Sequence, residues 1–282
     1  MLKEVDCKEW KVVYAKYLQD YLYQKGFRKV IEIKYNKEGK LYTIKQNKIF
    51  IQIEKIDGKP FGFYNDKNIK EFARVLAEFH NASEGFSKPP GVKMNVKWGK
   101  SLEKYKKLVK NLEKFKDIIK DKKDLTEFEK ILEPYVDSLL KRSKDIMKIF
   151  RSINYLMALE DSMKRKEVCL NKISKNTALK TKRGIVIVDI FNSGYNMIEE
   201  DVAKLIRKVI EKTEKKDMFD VIISEYSKVR PLNQSSIEYI KAHVSFPYDT
   251  LKIISKYIKG EEVDLKKLKK AVYKDDICNL GV

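Results

Sequence analysis

Cysteine is scarce in this chain. Cys7, Cys169 and Cys278 lie far apart and are odd in number, which excludes a disulfide framework and fits three reduced, mostly structural thiols, with terminal Cys278 open to cross-linking in an oxidising assembly. There are only two histidines, His80 and His243, and no C-x-x-C or H-E-x-x-H spacing, so no zinc site can be assembled from the usual motifs. No apolar stretch approaches the roughly 20 residues needed to span a bilayer, and the opening MLKEVDCKEWKVV lacks the apolar core of a secretory signal. Glycine-rich phosphate loops are missing as well: no G-x-G-x-x-G, no P-loop and no G-x-S-x-G elbow occurs. Six prolines in 282 residues, with 43% hydrophobic and 36% charged side chains, indicate an ordered and strongly helical chain rather than a disordered one.

What the chain has in excess is lysine. The formal net charge is +20, a field that attracts nucleic acid, anionic surfaces or acidic proteins without specifying a fold. Its distribution is mixed: KYKKLVKNLEKFKDIIKDKKD (104–124) and DLKKLKKAVYKDD (264–276) interleave acids with lysines. No RNP stretch, zinc-finger spacing or helix-turn-helix signature accompanies them. The reading is a lysine-rich solvated surface, and the pattern argues against nucleic acid, whose mark would be a contiguous basic groove free of acids.

Hydrophobic periodicity divides the chain. Over residues 8–25 the apolar positions Trp10, Val13, Tyr14, Tyr17, Leu18, Tyr21 and Leu22 form one helical face stopped by Gly26. RKVIEIKYNKEGKLYTIKQNKIFIQIEKIDG then alternates as three short strands with turns at KYNKEGKL and QNK. From Asn65 the period changes to 3.6. Helices are expected at about 65–83, 100–120, 124–147, 149–164, 199–214, 218–228, 233–243, 247–259 and 264–272, interrupted by strand-like ALKT and GIVIVD. The aromatic first helix reads as an internal face and not as a base-stacking platform.

One carboxylate stands out. Asp189 ends the apolar run GIVIV, where a kinase-like enzyme holds Mg²⁺ with an aspartate, although a turn residue would also fit. The stretches EKIDGKPFGF, EFARVLAEFHNASEGF, GIVIVDIF, EEDVAKLIRKVI and SSIEYIKAHVSFPYDTLKIISKYIKG, in that order, resemble the CotS-type spore coat proteins, a kinase-like family similar to aminoglycoside and choline phosphotransferases. The resemblance runs over roughly residues 1 to 260. It implies an α+β, bilobal, aminoglycoside phosphotransferase-like fold: a truncated amino-terminal sheet lobe over 1–58, and a large, mainly helical lobe over 59–282 with a small hairpin near 178–189.

Carried over by position, the resemblance implies a catalytic base where Lys172 stands, a histidine at Leu170 and a metal-binding asparagine at Thr177, with Asn176 one place early. Asp189 matches the metal-holding aspartate, a vestigial ligand on this reading. Lys3 matches the lysine that pairs with nucleotide phosphates, Asp57 sits at the hinge, and His80 and Asp201 match structural positions in the large lobe. Asp201 also falls in a first helical turn, where the helix dipole favours a carboxylate without any function. A lysine, with a reference pKa near 10.4, is protonated at neutral pH and makes a poor base. Lys3 has so little chain before it that it reads as a frayed surface residue, and half of the nucleotide roof is expected to be missing. The expectation is therefore a catalytically inactive, pseudokinase-like coat assembly protein without cofactor, in which Lys172 pairs with Asp189. The alternative is a phosphotransferase or nucleotide-binding module acting on a small-molecule or protein hydroxyl with ATP and Mg²⁺, which would recruit Asn176 or Asn171 to the metal. The resemblance further implies other spore coat proteins as partners, acidic ones among them, no membrane, and a place in the spore coat after synthesis in the mother-cell cytoplasm. If the +20 charge serves binding to acidic partners, pull-down recovery falls as salt rises from low to physiological, because screening shortens the field to about 8 Å; salt-insensitive recovery indicates an apolar interface.

Overall fold

The computed structural model describes residues 1–282, and its first element is a strand where none was expected. In chain order the elements are β1 (Leu2–Val5), α1 (Glu9–Gln24), β2 (Ile33–Lys34), β3 (Tyr42–Lys45), β4 (Lys48–Ile53), β5 (Gly58–Pro60), α2 (Asp66–Ser83), β6 (Asn95–Val96), α3 (Lys100–Lys120) and α4 (Glu127–Leu132). A 3₁₀ turn at Glu133–Tyr135 precedes α5 (Val136–Phe150) and α6 (Ile153–Arg165). Then come β7 (Val168–Cys169), β8 (Ala178–Thr181), β9 (Gly184–Ile187), β10 (Gly194–Tyr195), α7 (Ile198–Thr213), α8 (Met218–Ser227), α9 (Gln234–Ser245), α10 (Tyr248–Ile258) and α11 (Leu265–Ile277). The architecture is a bilobal α+β fold with a small sheet lobe and a large helical lobe.

The small sheet is built around β4. Its alternating Ile49, Ile51 and Ile53 turn inward, and it pairs antiparallel with β1 along one edge and with β3 and β2 along the other. Two residues in left-handed conformation, Gln46 and Asn47, close the β3–β4 hairpin, which is the conformation such a tight turn demands. Lys3 pairs opposite Ile51, so the frayed end expected for it is replaced by a held strand. The reason is cooperative: β4 is an apolar strand with an open edge, and LKEV fills it.

The hinge segment is itself a strand. β5 pairs with β8, and β8 with β9, so the chain leaving the small lobe is stitched to the large-lobe hairpin. Ile31 N–H donates to Ile187 O at 2.8 Å and Ile187 N–H to Lys29 O at 2.9 Å. One apolar core accordingly runs from Val12, Leu18 and Ile51 through Phe72 and Leu76 to Ile187, Val202 and Tyr226. A second core lies between α3, α5, α9 and α10, around Leu112, Phe115, Phe150 and Phe246. The helix expected over 124–147 is two helices, because Pro134 opens the 3₁₀ turn between them; Thr126 and Glu129 form a capping box at the start of α4.

Three strands of two residues were outside the sequence reading, since no period can be read from two positions. β10 runs between β6 and β7 and ties the segment before α3 to the segment before α7. The tie depends on Gly194. A Cβ there would stand 2.3 Å from Asn95 O and 2.7 Å from Asn95 Cβ. Gly194→Ala is expected to destabilise the protein by about 1–3 kcal/mol, the usual cost of overpacking, read as a lowered urea midpoint; an unchanged midpoint means β6 yields freely.

Candidate active site at the seam of the two lobes

The segment after β7, residues 170–177, is held from below by Asp201. This residue stands in the first turn of α7, fully buried, and its two oxygens accept the N–H groups of Leu170 and Asn171. Asn171 adopts the left-handed conformation and is spent on structure: its side chain donates to Cys169 O and Gly194 O and accepts from Asn196 Nδ2 at 3.1 Å. His80 Nε2 lies 3.5 Å from Asp201 Oδ2, and His80 Nδ1 lies 2.7 Å from the Tyr226 hydroxyl. The Cys169 thiol donates to the carbonyls of Asn196 and Met197. His80, Cys169 and Asp201 thus converge, with their ligand-type atoms within 4.8 Å of one another.

Burial would push the Asp201 carboxyl up, but His80, Lys204 and the Leu170 N–H outweigh it and hold the group below the usual carboxylate range. Burial keeps His80 below its ordinary value despite Asp201 and lifts the Cys169 thiol far above its own. Together these give an ionised carboxylate beneath a neutral imidazole and a protonated thiol. The cluster clamps the backbone of the 170–171 turn, so that Lys172 emerges at a fixed place.

Above the clamp, three of the candidate residues meet. Lys172 Nζ is 3.9 Å from Asp189 Oδ2; Asp189 is largely covered, while Lys172 is mostly exposed. Asp189 Oδ1 also accepts the Phe191 N–H at 3.3 Å. Lys3 reaches across from the small lobe, its Nζ donating to Val188 O at 3.3 Å. Partial burial lowers its pKa and the nearby Asp189 opposes the shift. Cys7 stands in the same group, its thiol pushed up to about 11 by burial, against the pull of Lys11. Lys11, from the first turns of α1, donates to Asn192 Oδ1 at 2.7 Å. Asn95 Nδ2 donates to the carbonyls of Asn192 and Ser193, joining this group to β6.

Two candidates stay apart from it. Asn176 is exposed in the turn before β8, with its N–H on Ser174 Oγ. Asp57 is solvent-exposed at the hinge, 3.6 Å from Lys55. Thr177 is buried, with its hydroxyl donating to Lys172 O and accepting from Ser174 N. Lys11 and Asn192 were not singled out by the sequence reading. The signal available was the position of Asn192, three residues beyond Asp189 in DIFN.

The donor set can be tested against the groups this fold implies. Mg²⁺ in phosphoryl-transfer sites is held by one or two carboxylates together with the phosphates of the substrate. Asp189 supplies one, partly buried and aimed at the seam, and Lys3, Lys11 and Lys172 supply positive charge around it. The residues fit a nucleotide that carries its own metal, and they do not form a metal cage in its absence.

Residues 1–275 match the family described as "Spore coat putative kinase YutH". The chain is 20% identical over 260 residues to spore coat protein S of Bacillus subtilis, covering 91% of this chain and 73% of that one. Among solved structures it is similar to an aminoglycoside phosphotransferase from Alicyclobacillus acidocaldarius, with a TM-score of 0.84, 17% identity and coverage of 98% of this chain and 82% of that one. It is also similar to spectinomycin phosphotransferase in an AMP-bound complex, with a TM-score of 0.63, 16% identity and coverage of 99% and 84%. The expectation of an inactive, pseudokinase-like protein is corrected here. The chain carries a phosphotransferase fold over nearly its whole length, and the buried His80–Cys169–Asp201 cluster under the loop is intact.

Two outcomes check this anatomy. Asp201→Ala leaves two N–H groups and a buried imidazole without their anion, and is expected to lower stability by about 3–5 kcal/mol in denaturant unfolding; a loss below 1 kcal/mol removes Asp201 from its role as clamp. His243, buried behind α3, is held down at about 4 by burial. Its folded value lies below its ordinary 6.5, so its contribution is present above 6.5 and lost as pH falls toward 4. Glu199, pushed up to about 6 by burial, has the opposite sign: its contribution is present below its ordinary 4.5 and lost as pH rises through 6. His243→Gln should therefore flatten the acid-side loss of thermal stability between pH 6.5 and 4. An unaltered slope shows that His243 titrates normally.

Proposed function

The chain belongs to the family described as "Spore coat putative kinase YutH", and from that membership we propose that it is a phosphotransferase of the spore coat, passing a nucleotide's terminal phosphoryl group to a small-molecule or protein hydroxyl. On this reading it is made in the mother-cell cytoplasm and joins the coat by binding other coat proteins through its basic surface. The observation that carries the proposal is the meeting of Lys3, Lys172 and Asp189 at the seam of the two lobes.

Phosphoryl transfer leaves little covalent work to the protein, because the transition state is loose and its charge is spread over the equatorial oxygens. What the site must supply is position and cations. Lys3 would hold the inner phosphates from the small lobe. Lys172, on its clamped turn, would lie against the terminal phosphoryl group and exchange Asp189 for it. Asp189 would then be free to face a metal carried by the nucleotide; that metal supplies charge neutralisation between the phosphates. The bond from the terminal phosphorus to the acceptor oxygen forms as its bond to the bridging oxygen breaks. The nucleoside diphosphate leaves, and the hydroxyl proton passes to the product phosphate. Lys172 acts in this scheme as a positioned cation, so no residue at its place need accept that proton.

A calorimetric titration with ATP, with and without Mg²⁺, tests the reading together with release of labelled phosphate. Binding is expected, tightened by Mg²⁺, weakened at least tenfold by Lys3→Met, and stripped of its Mg²⁺ dependence by Asp189→Ala. Slow turnover abolished by Asp189→Ala is the expected activity. Absence of ATP binding at millimolar concentration by the folded protein overturns the proposal.

A further inference from the structure

Beside the Lys3–Lys172–Asp189 group, on the side of β6, lies a cavity of about 610 Å³ between α3, α7 and α9. It adjoins the seam directly. Asn95 in its wall bonds the backbone of Asn192 and Ser193, and Trp10 in its wall is the neighbour of Lys11. Its charged lining is one-sided: Lys97, Lys100, Lys104, Lys204 and Arg207 against Glu200 alone. Two of these cations are already engaged. Lys204 pairs with Glu200 at 3.4 Å and with Asp201 at 3.5 Å, and Arg207 is held by Asp275 and the carbonyls of Val244 and Phe246. That leaves Lys97, just after β6, and Lys100 and Lys104 of α3 outside any salt bridge, Lys104 lying over the Tyr248 ring at 4.4 Å.

Two further features face the same space. The start of the 21-residue helix α3 has Gly99 in left-handed conformation and no side-chain cap; the Lys100 N–H donates to Lys97 O and Glu103 stands in the first turn, while Lys100 and Ser101 lie in the cavity wall. Helix starts of this kind favour anions. Independently, His243 lines the cavity with only 7% of its surface exposed, and its Nε2 has no partner. The other ring nitrogen lies 3.2 Å from the Tyr105 hydroxyl. With Nδ1 occupied by that hydroxyl, Nε2 is left as a buried ring nitrogen without a hydrogen-bond partner. A buried polar atom left unpaired costs about 1–3 kcal/mol, and a bound ligand group that pairs with it would remove that cost.

We propose that this cavity is the acceptor pocket and that it takes a small anionic hydroxyl compound, such as a hydroxycarboxylate, and rejects polycationic amino sugars. The acceptor role rests on the phosphotransferase reading; the anion preference rests on the pocket alone. Trp10, Tyr105 and Tyr248 among its lining residues give the ligand apolar surface, and the Lys100–Lys104 rim meets its charge.

The two tryptophans of the chain, Trp10 and Trp98, make the pocket readable. In a Trp98→Phe background Trp10 is the single reporter, and citrate and kanamycin serve as probes without nucleotide or metal. Citrate is expected to change Trp10 emission saturably, and the Lys100→Glu/Lys104→Glu pair, both exposed and outside the core, to weaken it at least tenfold. Lys172→Met, which alters the nucleotide group, should leave citrate binding within twofold. Kanamycin should bind only after the double charge reversal. No saturable citrate response, a response removed by Lys172→Met and not by the double variant, or kanamycin binding as tight as citrate overturns the proposal. If ATP fails to bind while citrate still does, the phosphotransferase reading falls and the anion preference stands.

Discussion

A single buried carboxylate holds the centre of this molecule together. Asp201 is removed from water in the first turn of α7 and accepts the N–H groups of Leu170 and Asn171. A charge so placed is tolerable only because it is met from several sides. His80 approaches from α2, Lys204 lies one turn further along α7, and the 170–171 backbone comes from β7. The carboxylate therefore binds three parts of the chain that are remote in sequence. Just past the two clamped N–H groups the chain turns through the left-handed conformation of Asn171. Lys172 follows that turn and is aimed by it.

The apolar architecture serves the same end. β5 continues the path out of the small lobe as a strand of the large-lobe hairpin, and the bonds between Ile31, Lys29 and Ile187 close the gap above it. Buried side chains run without a break from the small sheet to α7 and α8. A rigid seam of this kind lets Lys3, which belongs to one lobe, meet Val188 and Asp189, which belong to the other. It also explains why a two-residue strand such as β10 matters: Gly194 permits the backbone of Asn95 to lie against it, and Asn95 in turn borders both the seam and the neighbouring cavity.

Charge in this protein is better understood by place than by total. The overall excess of +20 says little, because many lysines are paired with acids at the surface, where such pairs contribute roughly 0–1 kcal/mol. At the seam the same residue type has a different weight. Lys3 and Lys11 are partly covered, Asp189 is the carboxylate among them, and Lys172 stands over it. In the cavity, Glu200 is taken up by Lys204, and the lysines of α3 are left without an opposite charge. Both regions are cationic in a way the whole-chain figure does not reveal.

By itself the sequence determined the two-part pattern: a period of two over the small lobe and of 3.6 beyond it. It also determined the end of α1 at Gly26, the start of the helical period at Asn65, and the carboxylate at the end of the GIVIV strand. These are local properties, written in neighbours a few positions apart. Residue order also carried the family, through LAEFH, VDIF and the late SFP block. Tertiary structure decided the rest. β1 exists because β4 has an edge to fill, which nothing in LKEV announces. Lys3 acquires a place only through that pairing, and Lys11, Asn192 and Asn95 come together across long stretches of chain. The reading of inactivity rested on Lys172 at the base position, Thr177 at the asparagine position and the expected loss of half the nucleotide roof, with Lys172 paired to Asp189. What a lysine does at such a position depends on the carboxylate 3.9 Å away, the clamped turn beneath it and the lobe facing it. The pairing with Asp189 was expected from the resemblance, but the clamped turn and the facing lobe are not encoded in sequence spacing, because electrostatics and packing act through space and not along the chain.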